Sequence, residues 1–149
     1  MKPTAHIYDV DGTLANVDPY LHYVRGSNRD YDAFHEASID ALPNYAVVQM
    51  LNNTVHDGHA VLIVTSRKEK WRGLTSMWLA KNNIRCHALF MRADNDNRPD
   101  YEAKKDILDR ITELWDVTHA VDDNPYVLKL WQDNGIPTTK IGDWDGDRS

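Results

Sequence analysis

Two aspartates lie two residues apart in Asp9-Val10-Asp11-Gly12-Thr13-Leu14, directly after the short, mostly apolar run Ala5-His6-Ile7-Tyr8. Residues two apart on a strand share a face, so Asp9 and Asp11 can address one substrate from the same side. In such a pair one carboxylate can attack as a nucleophile while the other gives and takes protons. Gly12 marks where extended structure can stop. Taken alone, the pair is also an ordinary polar strand exit. Its meaning comes from groups farther along the chain. Val61-Leu62-Ile63-Val64 leads into Thr65-Ser66-Arg67, and Ala120-Val121 leads into Asp122-Asp123-Asn124-Pro125, with Lys104 on an expected helix between them.

These groups need a scaffold that ends several strands at one edge, and the chain reads as alternating strands and helices. An irregular stretch from Ala15 to Leu42, with Pro19 and Gly26, follows the first strand. A helix opens near Pro43, carries Val47, Met50, Leu51 and Val55 at helical spacing, and stops at Gly58. Strand two is Ala60 to Val64, and a helix from about Glu69 to Asn82 shows Trp71, Leu74 and Trp78 on one face. His87 to Met91 reads as a strand and the polar run Arg92 to Arg98 as a loop. A helix from Asp100 to Trp115 carries Ile107, Leu108, Ile111, Leu114 and Trp115. After a strand over Thr118 to Val121, Asn124 can cap a helix with Pro125 at its first position, running to Asn134 and ending at Gly135. A last strand, Thr138 to Ile141, precedes a tail expected to be loose after Gly142. Such alternation implies an α/β fold, a parallel sheet with helices on both faces, and ligands at the carboxyl ends of its strands.

Composition bounds the possibilities. The length of 149 residues suits one domain, able to bury about two thirds of its unfolded surface without disulfides or a structural metal. A single cysteine, Cys86, excludes a disulfide framework and fits a reducing, cytoplasmic setting. Met1-Lys2-Pro3-Thr4 runs into the first strand without the look of a signal peptide, and no apolar run approaches the ~20 residues of a membrane span. A net charge of -6 argues against a large non-specific nucleic-acid surface, though not against a small basic pocket gripping one phosphorylated end.

The ordered set of Asp9-x-Asp11-Gly12-Thr13, Thr65, Lys104 and Asp122-Asp123 resembles the haloacid dehalogenase (HAD) superfamily of phosphohydrolases and spans most of the chain. The resemblance implies a three-layer, Rossmann-like HAD fold of about five parallel strands, with a small cap insertion at about 15–42. It also implies roles. Asp9 attacks phosphorus and becomes an aspartyl-phosphate. Asp11 protonates the leaving oxygen, then takes a proton from the hydrolytic water. Thr65 hydrogen-bonds a phosphate oxygen, and Lys104 neutralises charge on the phosphorane. Asp9, Asp11, Asp122 and Asp123 cannot gather round a phosphate dianion without positive charge, so a hard divalent cation, most simply Mg²⁺, is expected. Its ligands would be the Asp9 carboxylate, the Asp11 main-chain carbonyl and an acid of the pair, with Asp123 the direct ligand and Asp122 just behind it.

Within that superfamily the chain looks most like the 3′-phosphatase domain of phage-type polynucleotide kinases. Arg67 stands two residues after Thr65, and Asp96, Arg98, Asp100 and Lys104 form the series before the third helix. The acidic pair is followed by a helix with Trp131 near its end, and Arg29, Tyr31 and Asp32 loosely match the family's Arg before Tyr-Asp. Gly12, Thr13, Ser66, Arg67, Arg29, Arg98 and Asp100 are accordingly expected around the substrate. Two features depart from the family: Thr-Ser-Arg replaces the usual Ser-Gly-Arg, and Pro99 interrupts the Arg-to-Asp spacing. No glycine precedes lysine, so the kinase's Walker loop is not expected in this chain.

Plainer readings stand beside these. Arg67 and Arg98 could be surface salt-bridge partners, Asp100 a helix cap, the His56–His59 pair a solvated turn, and the five tryptophans core packing. Three functions compete: a phosphatase acting on nucleic-acid 3′ ends (DNA or RNA), a small-molecule phosphatase such as a nucleotidase, and a non-catalytic module keeping the fold. The last predicts a lost catalytic position, and none is lost. The insertion is too short for a large lid, which leaves a site open to a polymer end and favours the first.

Overall fold

The computed structural model describes residues 1–147. In chain order the elements are β1 (Thr4–Tyr8), β2 (Ala15–Asn16), α1 (Tyr31–Ala37), β3 (Leu42–Pro43), α2 (Tyr45–His56), β4 (Ala60–Lys68), α3 (Arg72–Lys81), β5 (Ala88–Arg92), α4 (Asp100–Ile111), β6 (Asp116–Asp122), α5 (Pro125–Asp133) and β7 (Thr138–Lys140). Five strands form one parallel sheet in the order β5-β4-β1-β6-β7. Val61, Leu62, Ile63 and Val64 are each fully buried, as a central parallel strand covered on both faces requires. Alternation sends Val61 and Ile63 to one core with Tyr8, Leu51 and Trp78, and Leu62 and Val64 to the other with Ile107, Ile111 and Trp131. Helices α2 and α3 thus cover one face, α4 and α5 the other. The expected fold, a five-stranded parallel sheet between helices, is the one found.

Several element limits differ from expectation for physical reasons. β4 continues to Lys68, its pairing with β5 slipping between Val64 and Lys68, so Thr65-Ser66-Arg67 forms an irregular strand end rather than a loop. Residues Glu69–Trp71 make a separate 3-10 turn, and α3 buries Thr75, Trp78 and Leu79, leaving Trp71 off the core stripe. In α2 the inward positions are Val47, Leu51 and Thr54, and Val55 points outward. α4 stops at Ile111 because Asp116 must already pair beside β1, its N–H donating to the Pro3 carbonyl; Leu114 is left exposed. Asn124 caps α5 through the Tyr126 N–H at 3.0 Å, with Pro125 first in the helix, as expected.

The stretch between β1 and α2 is more ordered than its composition suggested. It holds a 3-10 helix (Asp18–Val24), α1, a 3-10 turn (Ser38–Asp40) and the antiparallel pair β2–β3. Val24, Phe34 and Ala41 are buried in the main core, and the Trp78 indole N–H donates to the Ala41 carbonyl at 2.9 Å. The tail also departs from expectation. Gly146 (φ +97°) lies so close to the Tyr126 ring that a Cβ there would come within 2.5 Å of it, so the tail rests on the start of α5. No helix among the described residues is long and apolar enough to cross a membrane.

Candidate active site

β1 is flanked by β4 and β6, and each strand hands one chemical group to the same edge. The Asp9 N–H donates to the Val121 carbonyl at 3.1 Å, which sets Asp9 level with the acidic pair ending β6. Beyond Asp9 the chain turns sharply: the Thr13 and Ala15 N–H groups both return to the Val10 carbonyl, and Val10 and Leu14 are fully buried anchors. Gly12 adopts φ +80°, and a Cβ there would stand 2.0 Å from Asp123 Oδ2. Only glycine lets the turn pass this close to the carboxylate.

One oxygen each of Asp9, Asp122 and Asp123 lie within 4.8 Å of one another, all three buried. Lys104, itself 2% exposed, reaches in from α4 to Asp9 Oδ1 at 3.1 Å and Asp122 Oδ2 at 2.9 Å. Thr13 Oγ1 donates to Asp9 Oδ2 at 3.2 Å, and the Asn124 N–H donates to Asp122 Oδ1 at 3.0 Å. Burial opposes the Lys104 ammonium, but the Asp122 and Asp9 charges outweigh it and push the group up, so it stays charged. Asp9 is pushed up, first by burial and then by the Asp122 charge; Asp123 is pushed up by burial and by Asp9 and Asp122. Among the described residues no cationic side chain pairs with Asp123. A hard divalent cation fits this donor set: oxygen ligands throughout, crowded like charges, and one cation too few. Asp9, Asp122 and Asp123 can each turn one carboxylate oxygen to such an ion, and Asp123 is the acid of the three that Lys104 does not bond.

Arg67 is buried, not a surface residue. Its Nε and Nη2 grip Asp11 Oδ2 and Oδ1 at 3.0 and 2.6 Å, Nη1 reaches Thr75 Oγ1 at 3.1 Å and Nη2 also reaches Ser38 Oγ at 3.0 Å. One guanidinium therefore ties β4, α3 and the insertion to Asp11. Thr65 is buried beside it, its Oγ1 accepting the Arg67 N–H at 3.2 Å.

The carboxylates open into a cleft of about 510 Å³ lined by Asp9, Asp11, Thr65, Ser66, Arg67, Arg98, Asp100, Lys104, Asp122 and Asp123. Of the residues expected around the substrate, Gly12 and Thr13 shape the carboxylates instead of lining the cleft. Arg29 is not brought in: its Nε donates to the Gly26 carbonyl at 3.2 Å, away from the lining. Arg98 reaches the rim with its guanidinium on Asp96 and Asp106 at 2.8 and 2.5 Å. Asp100 is the first residue of α4 and not its cap, which is Pro99; its carboxylate takes Arg92 at 2.8 Å.

Arg92 was not among the residues expected at the site. It is buried, donates to the carbonyls of Ser66, Asp96 and Arg98, and so pins the loop of residues 93–99 to the end of β4. Its signal was position, since it ends the strand next to β4, which itself ends in Thr65-Ser66-Arg67. His35, Trp71 and Trp144 also line the cleft unforeseen. Burial pushes His35 down to about 4, against the pull of Asp11, so its ring is neutral at neutral pH. His56 and His59 form no metal site: His59 stacks on His6 at 4.4 Å and bonds Thr4 Oγ1 at 2.7 Å.

Comparison with known proteins identifies the family of the chain. The family profile of the polynucleotide kinase PNKP phosphatase domain matches residues 3–145. A protein of Autographa californica nuclear polyhedrosis virus, assigned as a bifunctional polynucleotide kinase/RNA ligase, is 31% identical over 141 residues; these are 91% of this chain but 19% of that protein. A chain in the structure of the Pnkp1/Rnl/Hen1 RNA repair complex superposes with a TM-score of 0.80 at 28% identity, over 97% of this chain and 44% of that one. The class C acid phosphatase from Bacillus anthracis shares the fold, with a TM-score of 0.71 at 16% identity over 98% of this chain and 71% of the other. The chain thus spans less than half of the first two proteins.

Proposed function

This chain belongs to the family of polynucleotide kinase PNKP phosphatase domains and is a HAD-type phosphatase; from that premise we propose that it removes phosphate from nucleic-acid 3′ ends through an aspartyl-phosphate. The observation that carries the reading is the family match across residues 3–145, supported by Asp9, Asp11, Thr65, Lys104 and Asp123 lining one cleft. The likeness to a chain of an RNA repair complex favours RNA among such ends.

In this reading Asp9, aligned by the Thr13 hydroxyl and the Lys104 ammonium, attacks phosphorus in line with the departing 3′ oxygen. Asp11 gives that oxygen its proton and later takes one from the water that cleaves the acyl phosphate. Because Arg67 holds both Asp11 oxygens, one of them leaves the guanidinium as substrate arrives. Lys104 supplies fixed positive charge beside the phosphoryl oxygens, and Thr65 is placed to donate to one of them. Mg²⁺ held by Asp9, Asp123 and the Asp11 carbonyl would neutralise the clustered charge and polarise the phosphate.

The test compares phosphate release from a 3′-phosphorylated oligonucleotide with release from a panel of mononucleotides. Preferential turnover of the oligonucleotide is expected. Mononucleotides outcompeting it would replace this reading with that of a nucleotidase.

A further inference from the structure

Of the five tryptophans, Trp78 and Trp131 are fully buried and Trp115 packs against Phe90. Trp71 and Trp144 belong to neither core and line the cleft instead. Trp71 follows β4 and Trp144 follows β7, and the order β5-β4-β1-β6-β7 sets those strands on opposite sides of β1. The two indoles therefore enter the cleft from the β4 side and from the β7 side. Tyr31, Phe34 and the neutral ring of His35 extend the Trp71 side; His35 lies 5.6 Å from Trp71, centroid to centroid. Lys70 stands 5.6 Å from the Trp71 ring and 3.0 Å from Asp32, and Lys68 lines the same rim.

The reacting phosphate needs only the carboxylates, Lys104 and Thr65. Flat aromatic surface on both sides of that point, with ammonium groups on one rim, has no part in phosphoryl transfer. It does match the way proteins hold single-stranded nucleic acid, with bases on aromatic faces and cations along the backbone. The tail that carries Trp144 is held in place: Gly146 lies against Tyr126, and the Trp144 indole N–H donates to the Asp147 carbonyl at 2.8 Å.

We propose that Trp71 and Trp144 form a nucleobase clamp, in which the bases of the last unpaired nucleosides at the substrate's 3′ end stack on these indoles while the terminal phosphate meets Asp9. The inference rests on the nucleic-acid-end reading and adds the part of the substrate recognised besides phosphate. Stacking accepts any base, so the clamp selects for an unpaired end and not for sequence.

The experiment compares kcat and KM for a 3′-phosphorylated oligonucleotide with those for the same strand made abasic at its last two positions. The enzymes are the parent, Trp71→Ala, Trp71→Phe and Trp144→Ala. The parent should prefer the base-bearing strand, and each alanine variant should raise KM for it by about 5- to 150-fold, equivalent to about 1–3 kcal/mol. That loss should largely vanish on the abasic strand, and Trp71→Phe should recover most of it. Quenching of indole emission in Asp9→Asn by the base-bearing strand, and not by the abasic one, gives a readout independent of turnover. A parent that treats both strands alike, or alanine variants that keep the preference, would overturn the clamp while leaving the phosphatase reading intact. Failure of the nucleic-acid reading shows separately, as a parent that dephosphorylates mononucleotides and neither oligonucleotide.

Discussion

Asp9 and Arg67 carry the two sharpest expectations at the level of single side chains. Asp9→Asn keeps the shape of the buried group and removes the nucleophile, so phosphate release should fall by at least about 10³-fold, about 4 kcal/mol of barrier. Burial already disfavours the Asp9 carboxylate, so in chelator the variant should melt no lower than the parent. A loss of less than about tenfold would remove Asp9 from its role. Arg67 is a positioning residue whose value lies in its planar fork. Lysine keeps the charge but cannot span both Asp11 oxygens, Thr75 and Ser38 at once. Arg67→Lys should therefore lower kcat with little change in KM. Arg67→Ala, which removes the contacts to Asp11, Thr75 and Ser38 together, should lower stability in chemical denaturation more than Arg67→Lys does. A lysine variant with the parent's kcat would show that the contact to Asp11 is only structural. The DxD motif disclosed Asp9 and Asp11, whereas the further partners of Arg67, Thr75 of α3 and Ser38 of the insertion, left no mark near Arg67 itself.

At the level of elements, the turn after β1 decides how closely two strands can deliver their acids. Gly12→Ala places a Cβ where Asp123 Oδ2 now lies, on a backbone with φ +80°. Such a conformation costs an L-residue roughly 1–2 kcal/mol, and Asp123 must also move. The variant should need much more Mg²⁺ for half-maximal activity than the parent, measured by metal titration, while keeping its helical circular dichroism. An unchanged Mg²⁺ requirement would detach Asp123 from metal binding. The same turn shows what local pattern can and cannot convey. Glycine after two aspartates announced a sharp exit, and Asn124-Pro125 announced a helix start, because both act through their own backbone. The stop of α4 at Ile111 was hidden, since Leu114 and Trp115 continue its apolar spacing. What ends that helix is the pairing of Asp116 with the distant N-terminal strand.

For the whole molecule, the distribution of charge makes a prediction about metal. Three buried acids gather at the sheet edge, only two of them bonded to Lys104, in a chain whose net charge is -6. Activity should vanish in excess chelator and return with Mg²⁺, and Ca²⁺, with its looser coordination, should restore little. Mg²⁺ should also raise the melting temperature, because a cation bound only by the folded state stabilises it by mass action. Full activity in chelator would overturn the metal-dependent mechanism.

The sequence by itself determined the five strands of the main sheet, the four helices that cover it and which strand ends bear Asp9, Thr65 and the Asp122-Asp123 pair. Those features come from apolar runs, turn residues and side-chain period, all of which act within a few residues. Only the tertiary structure decided that Arg67 turns inward to Asp11, that Arg92 pins the loop leading to Asp100, and that Arg29 stays outside the cleft. It alone also separated Trp71 and Trp144 from the packing tryptophans. Each of these depends on which strands become neighbours, and strand order is set by packing between segments tens of residues apart. An indole on the rim and an indole in the core look the same in the chain until the sheet assigns them their sides.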